Sequence, residues 1–138
     1  MKTNHSDLSW KLTSPTAVFT FLLGAFMLFL SVRAVLDPTS AAAGFGLPLS
    51  GTEAIPWMHV KAGRDLGVGL ALLALVAIRQ RQAAGVFVLA CLVMPTVDAL
   101  TAVREGGTSL AMALAVHGSA AVYGVVLAFA LLRRRAGG

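Results

Sequence analysis

The chain alternates between long apolar runs and short polar breaks, and this pattern predicts four membrane-spanning helices. The first run covers residues 16–36, "TAVFTFLLGAFMLFLSVRAVL", and stops at Asp37-Pro38. The second runs from Lys61 to Arg79, the third over 83–103 and the fourth over 108–132, closed by Arg133-Arg134-Arg135. A helix needs roughly 20 apolar residues to cross a hydrocarbon core of about 30 Å, and each run is close to that length. Runs two and three are separated only by "RQRQ", and runs three and four by "REGG", so consecutive helices are antiparallel neighbours. The expected fold is all-α: an integral membrane four-helix bundle, up-down-up-down, forming a single domain over residues 1–138 behind a polar tail of residues 1–15.

One connection is long. Residues 37–60 contain "AAAGFGLPL" and "IPW", apolar yet punctuated by Gly and Pro. Non-helical backbone of this kind is tolerated at membrane depth only where protein covers it. The segment reads as a lid or an interfacial stretch, with Trp57 at headgroup level. The first run is too long for a signal-peptide core and follows Asp7 and other polar residues, so it reads as a retained span.

Composition supports a lipid solvent: 57% of the 138 residues are hydrophobic and 12% charged. A chain this short has too little polar surface to cover such a core in water. The net charge of +5 raises nucleic acid as a partner, but the basic residues fall in short inter-span segments without aromatic interleaving. Membrane orientation accounts for them instead. Lys2, Lys11, Arg79, Arg81 and Arg133–Arg135 gather on one side, and Arg33, Lys61, Arg64 and Arg104 on the other. The positive-inside rule then places both termini in the cytoplasm, in a plasma or inner membrane. Cys91 is the one cysteine, which excludes an internal disulfide or a CxxC pair and leaves a small buried hydrophobe.

Charge inside the spans is the functional signal, because an ionised side chain at mid-bilayer costs about 2.5–3.5 kcal/mol unless it pairs or lines a cavity. Arg33, Arg64, Asp65, Asp98 and His117 lie within or at the ends of spans, all on the side opposite the termini. At about 1.5 Å per residue, Asp98 is roughly 8 Å and His117 roughly 14 Å from its span end, depths that helix tilt makes comparable. Gly63 and Gly67 offer a small-xxx-small face for close helix approach, within the protein or between copies in a homo-oligomer. Pro95 predicts a kink three residues before Asp98. Ordinary roles compete at each position: Arg33 pairing with Asp37 or snorkelling, Lys61 snorkelling, Asp98 in a structural ion pair with Arg64 or Arg33, His117 as packing glue.

No HExxH, HxxxH, GxSxG, Walker or GxGxxG pattern occurs, so no metal or other cofactor is expected. What remains is acid–base chemistry in a dry pocket: His117 moving a proton, Asp98 orienting it, Arg64 and Arg33 stabilising an anion, and Asp65 paired to arginine. A lipophilic small molecule entering from the bilayer is the fitting ligand class, with isomerisation or cyclisation as the reaction type. The alternative is a non-enzymatic membrane accessory or transport subunit whose charged network is structural.

The strings "DPTSAAAGFGLPL", "VKAGRDLGVGLALLAL", "VMPTVDAL" and "AVHGSAAVYG" resemble, in this order, the small membrane proteins grouped as the domain of unknown function 4267 family, itself similar to DoxX-like membrane proteins. The resemblance implies a four-helix membrane fold and matches Gly44, Phe45, Gly46, Pro48, Arg64, Asp65, Asp98 and His117. It implies no reaction. DoxX-like proteins include oxidoreductase-associated subunits, but this chain lacks the cysteine pair that thiol redox chemistry requires.

Overall fold

The computed structural model describes residues 10–133, and among these the regular structure is entirely helical. Helix α1 (Pro15–Leu36) starts where Ser14 caps it and Pro15 needs no N–H partner, and it ends at Asp37. Helix α3 spans Ile55–Ala77, α4 Arg81–Cys91, α5 Val93–Arg104, and α7 Ser119–Leu132. Three stretches are long and apolar enough to cross a membrane: Pro15–Leu36, Arg81–Arg104 and Leu110–Leu132. Helix α3 is 23 residues long but carries Lys61, Arg64 and Asp65. Large apolar side chains on these helices, among them Val86, Leu100, Val122 and Phe129, point outward and are more than half exposed. Such a surface suits lipid and makes this a helical membrane protein.

The long connection differs from its expected irregular form. Residues Pro38–Phe45 make a short helix, α2, because the Asp37 carboxylate accepts the Ser40 N–H and Pro38 fits the first turn. Gly46, at φ 95°, ends it in the left-handed region, with Leu47 N–H donating back to the Ala42 carbonyl. A single 3₁₀ turn over Thr52–Ala54 then leads into α3. That helix begins six residues before the expected Lys61, since Pro56 is tolerated in a first turn and does not break it. Trp57, 73% exposed, stands at this end.

The third apolar run is broken where Pro95 leads one to expect it. Proline cannot donate to the Cys91 carbonyl, α4 stops at Cys91, and Leu92 N–H turns to the Leu89 carbonyl. The fourth run opens at α6 (Leu110–Ala113), capped by Ser109, and passes through one wider π turn, Leu114–Gly118, before α7. The π turn carries His117.

Packing is strongest between α1 and α3 and between α4 and α7. Within the chain Gly63 and Gly67 make no close approach: a Cβ at either would meet nothing within 4 Å. Gly24 and Gly69 make it instead, where a Cβ on Gly69 would lie 2.9 Å from the Gly24 carbonyl oxygen. Gly63 and Gly67 face away from α1 because the buried stripe of α3 runs through Met58, Ala62, Asp65, Gly69, Leu72 and Val76. Gly85 and Gly124 similarly admit Leu132 and Leu92 between α4 and α7. Tyr123 Oη donates to the Phe19 carbonyl at 2.8 Å and joins α7 to α1. Arg81 donates to the carbonyls of Ala130 and Arg133, holding the start of α4 against the end of α7.

The polar tail is apolar at its near end. Trp10 is buried in the main core cluster and donates from Nε1 to Thr16 Oγ1 at 3.0 Å. Residues 1–9 and 134–138, including the charges expected at Lys2, Arg134 and Arg135, lie outside the described residues.

Candidate functional site

The second turn of α3 places Lys61 and Asp65 on one face, four residues apart, and Lys61 Nζ donates to Asp65 Oδ2. Asp65 is only 3% exposed. Its other oxygen accepts from Arg64 Nε at 3.2 Å. The far side of the same guanidinium reaches α5, where Nη1 and Nη2 meet Asp98 Oδ1 and Oδ2 at 3.2 and 3.1 Å. One arginine thus bridges two carboxylates on two helices, using the planar fork that suits a bidentate pair. The break at Leu92 redirects α5 and with it Asp98.

His117 is 6% exposed and sits opposite the end of α2. Its Nε2 is 2.9 Å from the Phe45 carbonyl oxygen. A carbonyl only accepts, so Nε2 is the donor in this contact. The Phe45 ring stands edge-on to the imidazole at 4.8 Å, and Lys61 Nζ lies 5.3 Å from the centroid of the same ring. Asp98 was expected to orient His117. The structure gives that place to Phe45, and Arg64 takes up both oxygens of Asp98.

Arg33 is exposed at the last turn of α1 and donates from Nη2 to the Ser40 carbonyl at 3.1 Å. It makes no ion pair with Asp37, whose carboxylate is turned to Ser40 N–H. That cap, and secondarily the nearby Arg33 charge, holds the Asp37 carboxyl below its ordinary range. Gly44 leaves room for Arg33, since a Cβ there would lie 3.4 Å from Nη2.

These groups surround one cavity of about 350 Å³, a size in the range of small-molecule sites. Arg33, Lys61, Arg64, Asp65, Asp98 and His117 line its polar part, so all five expected residues border it. The rest is apolar, including Leu23, Met27, Leu72, Phe87 and Val88. Sequence reasoning assigned Lys61 to the membrane surface. The earlier start of α3 moves it inward, and its i, i+4 spacing to Asp65 was the available signal.

Chemically, the site offers guanidinium and ammonium donors, two carboxylates, one imidazole and an apolar wall. The fold and this cavity define a helical membrane protein with a charged pocket among its helices. A family model described as "Domain of unknown function (DUF4267)" matches residues 24–131, and the chain belongs to that family. No curated protein and no solved structure gives a significant match.

Proposed function

We propose that this chain is an up-down-up-down four-helix membrane protein, with α3 as the fourth span and both termini cytoplasmic, whose cavity receives a lipophilic small molecule from the bilayer. The observation that carries this reading is the cavity itself: an apolar wall beside a cluster of charges. A charged cluster is costly beside lipid unless something uses or neutralises it. In this reading α2 covers the polar end, held by His117 at Phe45 and by Arg33 at Ser40. His117 Nδ1 is the proton-transfer group, Phe45 fixes the ring, and Arg64 with Asp65 and Asp98 sets the local field. Isomerisation or cyclisation without a cofactor is the chemistry such a set supports.

A second reading has a specific observation in its favour. Asp65 and Asp98 are each already satisfied by cations, which is how a structural staple between α3 and α5 is built. On this reading the protein is a membrane accessory or transport subunit.

Photolabelling tests the pocket. The full chain in nanodiscs is irradiated with a diazirine-bearing decanol, and adducts are mapped by mass spectrometry. Adducts on cavity-lining residues such as Met27 and Phe87, suppressed by excess decanol and by Leu30→Trp, are the expected outcome. Labelling that does not saturate and spreads over outward residues such as Val122 and Phe129, which do not line the cavity, would remove the pocket.

A further inference from the structure

The cavity's charges do not balance. Lys61, Arg64 and Arg33 line it as cations, and Asp65 and Asp98 as anions, so one positive charge is left over before His117 is counted. The surplus has a location. Asp65 is shared by Lys61 and Arg64, and Asp98 is held by Arg64 through both oxygens. Arg33 has no carboxylate partner among the described residues; its hydrogen bond runs to the Ser40 carbonyl. A guanidinium has five N–H donors, so most of this one remains available. Asp37 is near enough to feel the charge, but its carboxylate caps α2 and does not line the cavity.

The apolar part has a direction as well. On α1 the lining runs from Leu23 to Arg33, ten residues, or about 15 Å of helix. An apolar cavity of about 350 Å³ that follows α1 over that length, with an underused guanidinium at one end, has the size and charge to suit a single-chain amphiphile. We infer that the ligand of this cavity is a single-chain lipophilic monoanion, its acidic head on Arg33 and its chain along α1 toward Leu23 and Leu72. This inference rests on the pocket reading above and adds the ligand's charge and the residue that reads it. Arg33 and a carboxylate or phosphate head would form the forked pair for which arginine is suited. Gly44 lies against that guanidinium, where a Cβ would come to 3.4 Å from Nη2.

The test uses the same photolabelled protein and compares competitors of equal chain length. Decanoate is expected to suppress labelling at concentrations about tenfold or more below those of decanol or decylammonium, the scale of a charge-assisted pair. Arg33→Gln should bring the decanoate-to-decanol ratio close to unity, and Arg33→Lys should restore part of the preference. A wild-type protein on which decanol competes as well as decanoate, or an Arg33→Gln protein that keeps the preference, overturns the inference and leaves the pocket standing. Labelling that no competitor suppresses removes pocket and inference together. Phosphatidylglycerol in the nanodisc separates a free acid from an anionic bilayer lipid. Decanoate competition that persists beside it assigns the cavity to the free acid, and complete displacement overturns the single-chain form.

Discussion

The two ends of this molecule solve the same problem, holding helices together in lipid, in opposite ways. At the Arg81 end the helices are joined by shape. Gly85 and Gly124 admit Leu132 and Leu92, Leu127 and Leu131 are buried, and Arg81 donates to the carbonyls of Ala130 and Arg133. At the α2 end, charge joins them across a cavity, with Arg64 between Asp65 and Asp98. Lipid is as apolar as leucine, so close packing and hydrogen bonds supply the association that water would otherwise drive. A bundle needing only stability can be built wholly in the first way. The second introduces buried charges, which hydrophobic residues of similar volume often replace without loss.

The largest expected effect tests whether charge holds the α2 end. Arg64→Gln strands Asp98 and leaves Asp65 to Lys61 alone, and removing one partner of a buried pair costs about 3 kcal/mol or more. Arg64 is partly exposed, so the lower part of that range is expected, read as reversible unfolding in mixed micelles. Asp98→Asn, which neutralises the orphaned partner, should recover part of that loss in the Arg64→Gln background. Loss from Arg64→Gln no larger than from an outward-facing substitution would dissolve the contrast between the ends.

The next effect tests shape. Gly69→Leu forces a side chain onto the Gly24 carbonyl and Leu28, and overpacking of this kind costs about 1–3 kcal/mol. Gly63→Ala should do the reverse: nothing lies within 4 Å of its Cβ, and alanine is the better helix former by up to about 1 kcal/mol. If Gly63→Ala destabilises and Gly69→Leu does not, the helix faces have been assigned the wrong way round.

That pair of glycines also marks what was legible in the sequence. Hydrophobic runs located the three helices long and apolar enough to cross a membrane to within a few residues, because lipid imposes a length on each run, and Pro95 announced the break at Leu92. The five charged or titratable residues of the site were legible for the same reason: charge is conspicuous in a span. What was not legible depends on rotation and register. Gly63 and Gly67 carry the expected spacing, yet the buried face of α3 is set by Asp65, Gly69 and Leu72, which only a partner helix selects. The α2 helix was hidden because Asp37-Pro38 reads both as the end of α1 and as the start of another helix. The pairing of His117 with a backbone carbonyl leaves no side-chain signature at all.

His117 gives a smaller effect that sharpens the α2 end. If Phe45 orients it, ¹⁵N NMR of the histidine ring should show Nε2 protonated and Nδ1 bare. His117→Ala should cost about 1 kcal/mol, the scale of one net hydrogen bond. It should also loosen α2, seen as faster amide exchange over Pro38–Phe45 with α4 and α7 unaffected. An Nδ1-protonated ring would give the orienting role to another group.

The smallest expected effect lies at the hinge between α1 and α2, and it is a pH effect with a definite sign. Asp37 is held below its ordinary pKa of 3.8, first by its hydrogen bonds with Ser40 and last by the Arg33 charge. A carboxyl with a lowered folded-state pKa binds protons more readily in the unfolded chain, so it favours folding once both states are ionised. Its contribution is therefore complete above the ordinary carboxylate range and fades as pH falls through 3.8 toward the lower folded value. Asp37→Asn keeps a capping oxygen but has nothing to titrate. The stability difference between the two proteins should be constant near neutrality and close only on acidification below about pH 4. The site is fully solvated and the difference small, so amide exchange of α2 is the more sensitive measurement than global melting. A difference that stays open on acidification well below pH 4 would take the control of α2 away from the charge of its Asp37 cap.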